Sequence, residues 1–206
     1  PSSFVDIFEK NRFCSKLDFY MLKKAIQQIR KWIDMGMNPV NISVNQSKIV
    51  FYHENYISEL KSLLEEYNVL GSYITLEVLE STVIEDIDMF NSILTEVKKL
   101  GFSVSLDDFG SGYSSLNVLS KLQIDELKID RIFLHTKSEV DNQRTKWILE
   151  SIIDIAKKSQ ILVVVEGVES KQDDLFIKNL GADVGQGYFY GRPLSISAFN
   201  DLIETK

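Results

Sequence analysis

The chain has 206 residues, 44% hydrophobic and 26% charged with only 3 prolines, an ordinary composition for one soluble globular domain that can bury a sizeable core. Its single cysteine, Cys14, excludes an internal disulfide and reads as a partly buried reduced thiol. The formal charge of −7 excludes a general attraction for nucleic acid, so a phosphate ligand would need cations recruited locally.

Helical and extended patterns alternate along the chain. The spacing of Leu22, Ala25, Ile26, Ile29 and Ile33 predicts a helix over 16–35. A strand follows at Val40 to Val44, a helix at 54–68 and a strand at Tyr73 to Val78. Residues 85–100 read as an amphipathic helix, with Ile87, Phe90, Ile93, Leu94, Val97 and Leu100 on its apolar face. Gly101 ends it, as a C-terminal glycine does. Phe102 to Leu106 is the next strand, then a glycine-bearing turn and a short helix over 114–121, capped by Ser114 or Ser115. Glu126 to Ile129 is a strand and 139–158 a long helix. Ile161 to Val165 is an unbroken apolar strand suited to burial on both faces. A helix over 171–180, a short strand over 184–188 and a helix over 195–204 complete the series.

Six strands, each followed by a helix, imply a parallel sheet with helical crossovers. No Gly-x-Gly-x-x-Gly follows the first strand, which weakens an open dinucleotide-binding sheet. A closed barrel of this type wants eight strands and ~250 residues. Six strands in 206 residues therefore read as a barrel with one end missing.

The strand ends carry the chemistry. Asn45 ends the first strand, Glu77 lies in the second with Glu80 after it, and Asp107-Asp108 end the third. The fourth carries Lys128 and Asp130, the fifth ends at Glu166 with Glu169 beyond it, and the sixth brings Gln186. In a βα-barrel these ends ring one mouth, where catalysis is placed. Each acid alone reads as a cap or a solvated turn, Lys128 as a surface lysine and Asn45 as an Asx-turn. The joint pattern argues against those readings. Adjacent carboxylates repel unless a cation neutralises them, and paired hard oxygen donors suit Mg²⁺ or Mn²⁺. Two such ions about 3.5–4 Å apart would serve phosphodiester cleavage.

No segment has the ~18 uninterrupted apolar residues of a membrane span. Pro1 to Glu9 lacks the basic flank and apolar run of a signal peptide. The expectation is a cytoplasmic protein without direct membrane insertion. The sequons at Asn41 and Asn45 lie on or beside a strand and read as chance.

Five segments, in this order, resemble the successive motifs of the EAL domain, a family of bacterial phosphodiesterases that hydrolyse cyclic di-GMP to linear pGpG. They are Leu76-Glu77-Val78-Leu79-Glu80-Ser81, Asp107 to Leu116, Leu127-Lys128-Ile129-Asp130-Arg131, Glu166-Gly167-Val168-Glu169 and Gln186-Gly187-Tyr188. The resemblance covers nearly the whole chain and implies a TIM-type (β/α)8 barrel lacking its first two strands, with residues 1–206 as one EAL-type domain. It implies Asn45, Glu77, Asp107, Asp108 and Glu166 as ligands of two Mg²⁺ or Mn²⁺ ions. Glu166, Lys128, Asp107 and Asp108 would form the catalytic set. Gln186, Asp130 and Gly187 would contact substrate, Glu80 and Glu169 would anchor loops, and Arg131 would be structural. It further implies a homodimer, and flanking sensor or GGDEF domains that could anchor a larger protein to a membrane.

The family's Glu-Ala-Leu motif and the arginine after it do not occur among these residues; Pro1-Ser2-Ser3-Phe4 resembles a later segment. Leu79 stands for the family's threonine, Val165 for alanine and Ser111 for threonine. The alternative expectation is a degenerate EAL domain that binds cyclic di-GMP or a protein partner without cleaving it.

Overall fold

The computed structural model describes residues 14–80, 87–111, 116–134 and 139–204. Pro1 to Phe4, Ser81 and the expected capping serines Ser114 and Ser115 lie outside them. The chain forms two compact units, Pro1–Glu126 and Leu127–Lys206.

The first unit runs α1 (Cys14–Asp34), β1 (Ile42–Gln46), α2 (Lys48–Phe51), α3 (Tyr56–Tyr67), β2 (Ile74–Leu79), α4 (Ile87–Lys99), β3 (Ser103–Phe109) and α5 (Leu116–Lys121). The stripe on α1 buries Leu22, Ala25, Ile26, Ile29 and Trp32. The indole of Trp32 takes the place expected for Ile33, which is half-buried. On α4, Phe90, Leu94 and Val97 are buried, while Ile87, Ile93 and Leu100 are half-covered. Gly101 closes this helix at φ +92°, in the left-handed region that glycine enters without a Cβ penalty.

Strands β1, β2 and β3 lie side by side in chain order, and both pairings are parallel. Pairing moves two strands from their expected limits. Strand β1 starts at Ile42 and carries Asn45 within it, because its ladder runs from Ile42 opposite Ile74 to Gln46 opposite Val78. Strand β3 continues through both aspartates to Phe109.

The second unit contains β4 (Glu126–Ile129), whose first residue belongs to the first unit, then α6 (Glu139–Lys158), β5 (Leu162–Glu166), α7 (Lys171–Leu180), β6 (Val184–Gln186) and α8 (Ile196–Glu204). Strand β5 lies between β4 and β6 and pairs with β6 in parallel. Its Val163, Val164 and Val165 are buried, but Leu162 at its start is 41% exposed, so burial on both faces holds only for the strand's centre. Helix α7 opens with a reciprocal capping box between Ser170 and Asp173 and closes on Gly181 at φ +87°. Strand β6 is shorter than expected because its chain turns at Gly187, where the N–H of Tyr190 donates to the Gly187 carbonyl.

One device recurs in both units. Asp125, just before β4, accepts the N–H of Val104 on its carboxylate and donates its own N–H to the Val104 carbonyl. Asp183, just before β6, makes the same pair of bonds with Val163.

Candidate functional site

Registered parallel strands place paired residues on the same side of a sheet, and successive residues on opposite sides. In the first unit Val44, Leu76 and Val104 form one row, and Gln46, Val78 and Leu106 the next, all buried on one face. The alternate positions make a polar face: Ser43, Thr75 and Ser103, then Asn45, Glu77 and Ser105, with Asp107 two residues beyond Ser105. Three of the expected metal ligands therefore fall on one face of three adjoining strands. Glu77 and Asp107 are buried; Asn45 is exposed.

Asp108 would face the other way if the pleat continued. It adopts φ +57° instead, a left-handed conformation that aspartate enters more readily than most residues. Its N–H donates to the Asp107 carboxylate, and its carbonyl accepts both the N–H and the hydroxyl of Ser111. The strand thus breaks its alternation at the second aspartate.

Ser105 was not among the expected site residues. It is fully buried on the polar face, in register with Glu77, and its hydroxyl has no hydrogen-bond partner among the described residues. A serine two positions before Asp107, and so on the same face of the strand, is the available signal. The oxygen-rich donor set of Asn45, Glu77, Asp107 and Asp108, with a sealed hydroxyl beside it, fits a hard divalent cation.

In the second unit the Lys128 ammonium on β4 lies 2.7 Å from the Glu166 carboxylate on β5, with side-chain exposures of 6% and 19%. An ion pair this sheltered is held by geometry more than a surface pair is. Glu166 pairs in register with Gln186 on β6, so these two share a face. The turn after Gln186 is tied back to β5's end: the N–H of Val168 donates to the Gln186 carbonyl, and the N–H of Phe189 to the Val168 carbonyl. A β-carbon on Gly187 would collide with the backbone of Val168, and one on Gly185 with the Tyr190 hydroxyl. Both positions need glycine for close packing.

The remaining expected residues are placed as follows. The Asp130 carboxylate accepts the Ile132 N–H and caps the turn of helix over Arg131–Phe133. Arg131 packs on Gly167, where a β-carbon would strike its side chain, in keeping with a structural role. Glu80 is buried just after β2. Glu169 is exposed, and its backbone N–H donates to Asp173.

Behind these strand ends lie two buried aspartates. Asp18 on α1 accepts the N–H of Ser47 at 2.9 Å and the Ser47 hydroxyl. Burial pushes its carboxyl above the ordinary range, and the Ser47 bonds pull it partly back. Asp174 on α7 accepts from Lys171 at 2.7 Å, Lys178 at 2.8 Å and the Tyr190 hydroxyl at 2.8 Å. Lys171 foremost, then Lys178 and Tyr190, hold this carboxyl well below the ordinary range. Burial, then the bond to Asp174, pushes the Tyr190 phenol up to about 12. No helix among the described residues is long and apolar enough to cross a membrane.

Comparison with known proteins gives a consistent result. The profile of the EAL domain matches residues 1–193. The bifunctional diguanylate cyclase/cyclic di-GMP phosphodiesterase MucR of Pseudomonas aeruginosa is 34% identical over 94% of this chain and 28% of its own length. The cyclic di-GMP phosphodiesterase PdeR of Escherichia coli is 30% identical over 97% of the chain and 30% of its own. The chain thus spans about 30% of the length of these curated relatives. Among solved structures, the PaMucR phosphodiesterase in complex with c-di-GMP is 32% identical, with a TM-score of 0.86 over 97% of this chain and 86% of that one. The EAL enzyme Bd1971 in its cGMP-bound form is 29% identical, with a TM-score of 0.87 over 98% of this chain and 55% of that one. The α/β fold read from the sequence is that of solved EAL structures, and a TIM-type barrel short of its first two strands is consistent with them.

Proposed function

The chain belongs to the EAL domain family, and from that premise we propose that it is a metal-dependent phosphodiesterase domain that hydrolyses cyclic di-GMP to linear pGpG. The observation that carries this reading is the polar face of β1, β2 and β3, where Asn45, Glu77 and Asp107 share one side and Asp108 breaks the pleat. Its named relatives are cyclic di-GMP phosphodiesterases, which are hydrolases.

Asn45, Glu77, Asp107, Asp108 and Glu166 are the proposed ligands of two Mg²⁺ or Mn²⁺ ions. Such ions, when bound, polarise the phosphoryl oxygens and make water a competent nucleophile near neutral pH. The protein's own groups do the rest. Lys128 fixes the Glu166 carboxylate by their ion pair and supplies positive charge for the scissile phosphate. Glu166 serves as a metal ligand or takes the proton from the attacking water. Gln186, placed beside Glu166 by register, and Asp130 and Gly187 bind substrate. Glu80 and Glu169 anchor the neighbouring loops. The domain, residues 1–206, works as a homodimer in the cytoplasm, joined in the native protein to sensor or GGDEF domains.

The test is incubation of the complete domain with cyclic di-GMP and Mn²⁺ or Mg²⁺, with chromatography for pGpG. Turnover abolished by Asp107→Ala is the expected result; no pGpG at any enzyme concentration would overturn the reading. A second reading, a degenerate domain that binds without cleavage, is the alternative outcome of the same assay. Calorimetry that records micromolar binding with no hydrolysis would establish it.

A further inference from the structure

Asn45 differs from the other proposed ligands of its unit. Glu77 and Asp107 are buried and Asp108 is half-buried, whereas Asn45 is exposed on β1. It also brings a neutral amide oxygen, which attracts a cation less strongly than a carboxylate. A weak ligand in an exposed position depends on its backbone being held still.

The residues after Asn45 are held by a buried polar network. The Gln46 side chain, 3% exposed, donates its amide to the Asn45 carbonyl at 2.9 Å. Its own oxygen accepts the Tyr56 hydroxyl at 3.1 Å. Tyr56 is fixed in turn by the rings of Phe51 at 5.0 Å and Phe19 at 6.0 Å between centroids. Ser47 begins α2 in the capping position, yet its hydroxyl makes no cap bond to that helix. The hydroxyl and the N–H of Ser47 are both directed to one oxygen of Asp18. A serine at a helix start usually satisfies that helix; here it ties the turn to α1.

We infer that Asp18 is a positioning residue for the phosphodiesterase site: by holding Ser47 through two hydrogen bonds, it fixes the turn that presents the Asn45 amide to the metal. The inference rests on the reading of Asn45 as a ligand. It assigns a function to an aspartate with no place in the metal set itself. Asp18 acts through Ser47 and touches neither ion nor substrate.

Three variants of the chain test it: Asp18→Ala, Asp18→Asn and Ser47→Ala. Calorimetry with Mn²⁺ alone reads the ligand set without turnover, and amide exchange at Ser47 reads the turn without metal. Removal of outer partners of metal ligands costs roughly 10–100-fold in affinity or activity. The expected result for Asp18→Ala is Mn²⁺ affinity lowered about tenfold, faster exchange at Ser47, and a fall in kcat with KM for cyclic di-GMP unchanged. Asp18→Asn keeps an acceptor oxygen and restores most of each. Ser47→Ala, which keeps the backbone bond, gives a smaller loss in the same direction and carries the test if Asp18→Ala does not fold. Wild-type Mn²⁺ affinity in Asp18→Ala, or in Ser47→Ala if that variant stands in, overturns the inference, as does an Asp18→Asn protein as impaired as Asp18→Ala. A wild-type chain that takes up no Mn²⁺ overturns the metal reading and this inference with it. A wild-type chain that binds Mn²⁺ while Asp18→Ala binds equally well overturns this inference alone.

Discussion

Asp18 in the first unit and Asp174 in the second are both buried aspartates behind a strand end that bears a proposed site residue, Asn45 in one case and Gln186 in the other. Asp18 is satisfied by a neutral partner, the backbone and hydroxyl of Ser47. Asp174 has two ammonium groups and a phenol. Their acidities move apart accordingly: burial raises the first, and the lysines lower the second. A buried charge needs either ions or well-placed dipoles. The first unit uses dipoles next to a proposed cation site, where a further ammonium would compete with the metal. The second unit, whose chemistry already includes Lys128, tolerates cations in its frame.

The largest effects should separate the units by what they bind. Asp107→Ala in the first unit should abolish Mn²⁺ uptake measured by calorimetry and lower turnover by more than the roughly 100-fold that outer partners contribute. Lys128→Met in the second should lower Mn²⁺ affinity by no more than the roughly 100-fold of an outer partner, lower kcat, and cost roughly 3 kcal/mol of stability in urea unfolding, because it strips a sheltered carboxylate of its partner. Equal loss of Mn²⁺ binding in both variants would erase the distinction.

Gly187→Ala should come next. Its new methyl must displace the Val168 backbone, so about 1–3 kcal/mol of destabilisation is expected from overpacking. A melting temperature equal to wild type would show that the turn after Gln186 gives way easily.

The smallest effect is in pH dependence, and its sign differs between the two aspartates. The folded state raises Asp18 above the ordinary aspartate value of 3.8, so it binds a proton there before the unfolded chain does. That group therefore adds stability as pH falls through its raised pKa toward 3.8. Asp174 is depressed, so its contribution is complete above 3.8 and is lost as pH falls below that value toward its lowered pKa. Urea midpoints of Asp18→Asn and Asp174→Asn compared with wild type across mildly to strongly acid pH should diverge in these opposite senses. Parallel curves would show that the two sites are held alike.

How legible each residue was depends on the range of the interaction that places it. The strands, their order and the longer helices follow from local periodicity, with expected helix limits within a few residues of the observed ones, but the four-residue α2 (Lys48–Phe51) is too short to leave a periodic signal. Glu77 and Asp107 could be read because strand alternation is local. Asp18 and Asp174 lie inside helices, away from the strand ends that carry the sequence signal. Asp18 nevertheless continues the buried stripe of Leu22, Ala25 and Ile29 one turn earlier, and Asp174 precedes buried Ile177 by three residues. Their partners could not be read: Ser47 is 29 residues from Asp18, and Tyr190 is 16 from Asp174. The left-handed turn at Asp108 was likewise hidden, since aspartate permits that conformation without demanding it. The extension of β1 past Asn45 was set by its ladder with β2, a long-range pairing that overrides propensity.

The paired bonds of Asp125 with Val104 and of Asp183 with Val163 lie at the starts of strands, opposite to the ends that carry the proposed ligands. Register is therefore anchored at one end of the strand and chemistry is displayed at the other. Such a division lets inheritance act on the two separately. Substitutions at the display end can accumulate under selection for substrate or rate without slipping the ladder. Leu79, Ser111 and Val165, the departures from the family pattern, all lie at or near that end. A lineage built this way can drift in activity while its fold is retained.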